Sequence, residues 1–156
     1  MGLARQDAPL LKRRLDGLLE LYGPAYIDTD PIGMVHAFEK REDREVAAFF
    51  AAALAFGRVA SIRASLSRIF ERLGESPRDR LLRFESRKEK SLFRGLVHRW
   101  ASPTALAGLA GLLGNALRES GSLEALFMRD YRPGAPTLQE ALADFRRRLF
   151  APFAGK

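Results

Sequence analysis

Val46–Phe56 reads VAAFFAAALAF, eleven residues without a charge, with Asp43, Arg44 and Glu45 before it and Gly57 and Arg58 after it. Alanine is the best helix former and phenylalanine among the largest sources of buried area, so this run reads as a helix enclosed on all sides. A bilayer span needs roughly 20 such residues, so no membrane is implied. Asp43 is placed to cap this helix, Glu45 to favour the positive end of its dipole, and Gly57 to break or kink it.

Outward from this run the chain reads as a series of punctuated helices. On the N-terminal side, a helix from Asp7 or Pro9 carries Leu11, Leu15, Leu18, Leu19 and Tyr22 at helical spacing and stops at Gly23 and Pro24. Tyr26–Asp30 is a connector, and Asp30-Pro31 reads as the cap and first turn of a short helix through Met34, Val35 and Phe38. On the C-terminal side, Val59, Ile62, Leu66, Ile69, Phe70 and Leu73 form a single apolar stripe that ends at Gly74. Ser76 and Pro77 start a short helix through Leu81, Leu82 and Phe84, and residues 85–90, ESRKEK, read as a loop or frayed helix. Phe93, Leu96, Val97 and Trp100 resume a buried face with His98 and Arg99 among them.

Ser102 and Pro103 open a helix with Leu106, Leu109, Leu113 and Leu117 at core positions. Gly108, Gly111 and Gly114 weaken it but allow close helix packing, and Gly121 ends it. Ser122 begins a short helix with Leu123, Leu126 and Phe127. Thr137 and Glu140 form a capping-box signature for a last helix carrying Leu138, Leu142, Phe145 and Leu149. No segment alternates at period two, so the expected class is all-α, with about seven or eight helices packed around a central apolar helix. A chain of 156 residues with 47% hydrophobic content is expected to form one domain over 1–156.

There is no cysteine, which excludes a disulfide framework, a thiolate zinc site and a cysteine nucleophile. The N-terminus is charged throughout and does not read as a secretory signal, so a cytoplasmic location is expected. Asp28 and Asp30 are two apart, but helix capping and a surface turn explain them without a cation. His36 and His98 stand in no metal-ligand spacing, GLAGLLG lacks the Lys and Ser/Thr of a phosphate loop, and no serine lies in a GxSxG elbow. No catalytic residue, cofactor or metal is expected.

The net charge is +7, carried by 21 arginines and 5 lysines. Arginine suits phosphate recognition through its planar fork, although a composition rich in Ala, Arg, Gly and Pro with a single Asn also fits a GC-rich genome. The distribution is more informative: Arg58–Arg99 holds twelve basic and five acidic residues, and the remainder holds fourteen of each sign. All the excess charge therefore follows the apolar run in one segment, as expected if one surface faces a polyanion. On the helix after Gly57, Arg58, Arg63, Arg68 and Arg72 spread around the polar face rather than forming a row, which favours a solvated face over a phosphate track. Arg58, Arg63, Arg94 and Arg99 are the candidate nucleic-acid-binding residues, with Arg58 and Arg99 foremost because each follows directly on a run read as buried. Pairing with Glu45 or another carboxylate is the competing role.

YIDTDPI, EVAAFFAAALAFGRV, GESP, FRGLVHRW and GSLEALF, in this order, resemble an uncharacterised bacterial family classed as a domain of unknown function. The resemblance spans almost the entire chain. In that family the polypeptide continues with an arginine- and tryptophan-containing segment and a Pro-Leu-Asp-Thr-His-like motif, and neither is present here. The resemblance thus implies the N-terminal half of a longer pattern, as in a truncated gene product or a fragment. The missing motif is similar to the catalytic segment of helix-hairpin-helix DNA glycosylases, and the run ending at Gly57 and Arg58 resembles the helix that precedes lesion-facing residues in those enzymes. By that analogy Arg58 faces DNA, the fold is an incomplete glycosylase-like helical domain, and glycosylase chemistry is absent. The leading expectation is a helical domain that binds DNA or another polyanion through residues 58–99 without catalysis of its own. The alternative is a non-enzymatic interaction module, or a fragment needing a partner, whose exposed helix faces are covered by another protein or a second copy.

Overall fold

The computed structural model describes residues 8–85 and 88–153. Among them are nine α-helices: α1 (Ala8–Leu21), α2 (Pro24–Ile27), α3 (Ile32–His36), α4 (Arg41–Ala53), α5 (Val59–Leu73), α6 (Pro77–Arg83), α7 (Pro103–Ser120), α8 (Leu123–Met128) and α9 (Gln139–Phe150). Two 3-10 turns, Lys90–Phe93 and Ala151–Phe153, complete the order, and no strand occurs among the described residues. The all-α class is as expected. The helix count exceeds seven or eight because Pro24–Ile27 closes a helical turn where a connector was expected. Asp7 and two residues of the ESRKEK stretch, Ser86 and Arg87, lie outside the described residues.

The VAAFFAAALAF run is not enclosed on all sides. Helix α4 begins earlier, at Arg41, and ends at Ala53, three residues before the run does. Its buried residues, Asp43, Val46, Ala47, Phe50 and Ala51, continue to Leu54 at three- and four-residue steps, while Ala52, Ala53 and Phe56 are exposed. One stripe packs and the opposite face is alanine, whose small methyl tolerates water. The most enclosed helix is α7, with buried positions from Leu106 to Leu117, against which α6, the Lys90–Phe93 turn, α8 and α9 all pack. Gly114 makes this possible: a Cβ there would lie 2.6 Å from the Leu81 carbonyl oxygen of α6. Gly108 meets no such neighbour.

Helix α4 also organises its neighbours through two carboxylates. Asp43, 3% exposed, does not cap its own helix, whose N-cap is Lys40. It accepts from the Ser76 hydroxyl at 3.1 Å and the Arg78 backbone N–H at 2.8 Å, at the start of α6. Glu45 accepts from the backbone N–H groups of Leu123 and Glu124 at 2.9 and 3.0 Å, at the start of α8. Helix N-termini carry unpaired N–H groups and partial positive charge, so a carboxylate from a third helix serves both needs. Ser76, Ser102 and Ser122 add the local caps expected of them.

The C-terminal ends follow a complementary rule. Helices α5 and α7 end at Gly74 and Gly121, whose positive φ of 78° and 81° closes the last turn on itself. Elements that end without glycine receive an arginine instead. Arg63 donates to the Asp28 and Asp30 carbonyls after α2, at 2.6 and 2.9 Å. Arg44 donates to the Phe38 carbonyl after α3, and Arg118 to the Leu81 and Leu82 carbonyls of α6. Arg72 reaches the Leu92 and Arg94 carbonyls around the 3-10 turn, at 2.7 and 2.8 Å. Much of the arginine content is therefore spent on orphan carbonyls at the negative ends of short helices.

Two expectations at the chain ends change. The Thr137–Glu140 capping box does not form; α9 starts after Leu138, Thr137 accepts only from the Gln139 N–H at 3.4 Å, and Leu138 and Leu142 are exposed. Helix α1 forms as read, but none of its residues is buried, and Leu11, Leu15, Leu18, Leu19 and Tyr22 all face solvent.

Candidate functional site

The segment after the 3-10 turn does not continue as a helix. Gly95 takes a φ of 75°, and His98 and Ala101 then exchange both backbone hydrogen bonds, at 3.0 and 2.8 Å, in an isolated antiparallel bridge. Arg99 and Trp100 form the tip of this two-residue hairpin turn. Hairpin turns of this length need positive φ at the first central residue, usually glycine. Here that residue is Arg99, at φ 54°, the one non-glycine with positive φ among the described residues. Such a backbone costs about 1–3 kcal/mol and persists where its surroundings hold it.

The expected buried face is thereby split. Phe93, Leu96 and His98 point inward, whereas Val97 is 61% and Trp100 71% exposed. In a turn the side chains do not follow a 3.6-residue period, so apolar spacing misassigned Trp100. Seven residues between Gly95 and the Ser102-Pro103 helix start leave little room for a helix, and that was the available signal.

His98 is 6% exposed and joins this turn to the exit of α4. Its Nε2 lies 3.1 Å from the Phe56 carbonyl oxygen, and its Nδ1 lies 2.9 Å from the Ser65 hydroxyl of α5. A carbonyl only accepts, so Nε2 carries the proton; in that tautomer Nδ1 accepts from Ser65. The histidine has a structural task, as expected, and the task is specific: it fixes residues 55–58 against residues 98–101. Phe56, 56% exposed, meets Trp100 edge to face with ring centroids 4.2 Å apart. Gly57, at φ 118°, lets the Arg99 guanidinium lie over it, since a Cβ there would stand 2.8 Å from Arg99 Nε. Arg58 follows at once as the residue preceding α5.

The four candidate arginines thus part company. Arg58 and Arg99 meet at one place, beside two exposed aromatic rings, and neither has a hydrogen bond or ion pair to another described residue. The competing role for them, pairing with Glu45, is not taken, because Glu45 caps α8. Arg63 is turned away to the α2–α3 connection. Arg94 is exposed after the 3-10 turn and makes no polar contact with Arg58 or Arg99. Of the other cations in the segment, Arg68 donates to the Gly95 carbonyl at 3.2 Å, Arg78 to Asp79, and Arg80 pairs with Glu89. The Arg80 guanidinium holds the Glu89 carboxyl below its ordinary range.

Asp30 accepts from the Ile32 N–H at 2.8 Å and so caps the start of α3. No group of three or more His, Cys, Asp or Glu side chains that could hold a metal occurs among the described residues. No described helix is long and apolar enough to cross a membrane.

The model of a family described as Protein of unknown function (DUF2400) matches residues 30–156, so α1 and α2 precede the matched region. No curated protein and no solved structure shows a significant match to the chain.

Proposed function

The chain belongs to DUF2400, a family of proteins of unknown function, and we propose that it is a nucleic-acid-associated helical domain whose contact surface is built from Phe56–Arg58 and Arg99–Trp100. The observation that carries this reading is the pairing of Arg58 with Arg99 at one spot without a carboxylate, while Arg63, Arg68, Arg72 and Arg80 are engaged within the fold. Two fixed cations beside exposed aromatic rings suit a phosphate backbone and the bases attached to it. Arg94 and Arg83, both exposed, extend the positive field along the same segment. The resemblance to DNA glycosylases enters only as an analogy that points Arg58 the same way; no glycosylase step is ascribed to this chain.

Non-specific contacts of this kind give a dissociation constant of about 10⁻⁴ to 10⁻⁶ M at physiological salt, weakening steeply as salt rises. Fluorescence anisotropy with labelled DNA at two salt concentrations tests the reading. Arg58→Ala with Arg99→Ala should reduce the slope of log affinity against log salt by about 2 on duplex, since each phosphate contact contributes roughly 0.9. Absence of binding at low salt would refute it.

A second reading rests on α1. Its leucine and tyrosine stripe is exposed along the whole helix, and such a face favours association with a protein partner or a second copy. Light scattering on the wild type and on Leu15→Ser with Leu18→Ser separates the cases: a dimer abolished by the substitutions supports an interaction role, and a monomer in both argues against self-association.

A further inference from the structure

Resting on the nucleic-acid reading, we infer that the surface at Trp100 takes an unpaired base rather than intact duplex. Trp100 is the most exposed large apolar side chain among the described residues, at 71%, and it sits on the tip of a hairpin turn rather than on a helix face. Phe56 supports it edge to face, so one part of the indole is braced while the rest faces solvent. The backbone beneath is held in place: Arg99 occupies a left-handed φ that a flexible loop would relax, and buried His98 anchors the turn to two other segments. A protein gains nothing in stability by presenting indole to water on a strained support, so the arrangement points to a ligand that stacks.

Every nucleobase has a π-face, and stacking on an aromatic side chain does not depend on sequence. In a duplex those faces are covered by neighbouring base pairs, and a single turn tip offers no helix or ribbon to enter the major groove. In a single strand they are open, and the backbone phosphates beside a stacked base come within reach of Arg58 and Arg99. The charges and the ring thus complement one ligand, a phosphate-linked unpaired base. A protein partner seated on the same rings is the competing outcome.

Trp100 is the single tryptophan of the chain, so intrinsic emission reports on this residue alone. The test titrates the whole protein with an oligothymidylate and with a duplex of the same length, following tryptophan emission and the anisotropy of the labelled nucleic acid. Quenching of Trp100 by the single strand, with tighter binding than to duplex, is the expected result. Trp100→Ala should weaken single-strand binding about tenfold or more and duplex binding by less than about threefold, and Trp100→Phe should recover part of the loss. The exposure of Trp100 means these variants keep the wild-type melting curve. Equal or tighter binding to duplex without quenching overturns the unpaired-base assignment while leaving nucleic-acid association standing. No binding to either form overturns both, and light scattering that shows a dimer lost on Trp100→Ala assigns the rings to a protein contact instead.

Discussion

Replacing His98 by leucine should cost both stability and binding, although His98 itself is buried and touches no ligand. The substitution keeps a side chain of similar bulk but removes the contacts to the Phe56 carbonyl at 3.1 Å and the Ser65 hydroxyl at 2.9 Å. A buried polar group left without a partner costs about 1–3 kcal/mol, and both partners border solvent, so the low end applies and the sum is about 2–3 kcal/mol. For a chain of this size each kcal/mol lowers Tm by about 2–4 °C, giving a fall of about 4–12 °C by calorimetry. Freed from its anchor, the Arg99–Trp100 turn can relax its left-handed backbone, and DNA affinity by anisotropy should drop about tenfold even though Arg58, Arg99 and Trp100 remain. His98→Gln retains an N–H that can reach the Phe56 carbonyl and should restore about half of the stability loss. If His98→Leu melts within about 2 °C of wild type, the two hydrogen bonds carry no net stability and the anchoring argument is wrong. If it melts low yet binds as well as wild type, the turn does not need its anchor and the positioning role fails.

Arg99→Gly relieves the positive φ at 54° but adds the chain entropy of glycine, so stability should stay within about 1 kcal/mol of wild type while DNA affinity falls; a large loss of stability would mean that the guanidinium over Gly57 holds the fold. Arg63→Ala should show the opposite pattern, a loss of about 2 kcal/mol from the abandoned Asp28 and Asp30 carbonyls with the salt slope of binding unchanged. A flattened slope at wild-type stability would return Arg63 to the interface. The Arg148 guanidinium lowers the Asp130 carboxyl below its usual range, so their contribution is present above the unfolded value of about 3.9 and is lost as pH falls through the lower folded value. Asp130→Asn should therefore melt lower than wild type at neutral pH and converge with it below about pH 3; a gap constant across that range would dismiss the ion pair as the cause.

Residue types alone settle the helical class and most element boundaries, because the forces involved act within about four residues. Ser76, Ser102 and Ser122 cap the helices they precede, and Gly74 and Gly121 end theirs with positive φ. The same locality explains why the confinement of excess charge to Arg58–Arg99 was legible, along with the standing of Arg58 and Arg99 among the cations. Tertiary structure decided the rest. The alanine-rich run of α4 looks apolar on every side, and which stripe packs depends on the neighbours it meets; α7, not α4, proved the enclosed helix. Whether an arginine remains available depends on which orphan carbonyl the fold brings within reach of its long side chain, as Arg63 and Arg72 illustrate from 35 and 20 residues away. The candidate site itself joins residues 42 positions apart through one buried histidine, a distance over which no local preference acts.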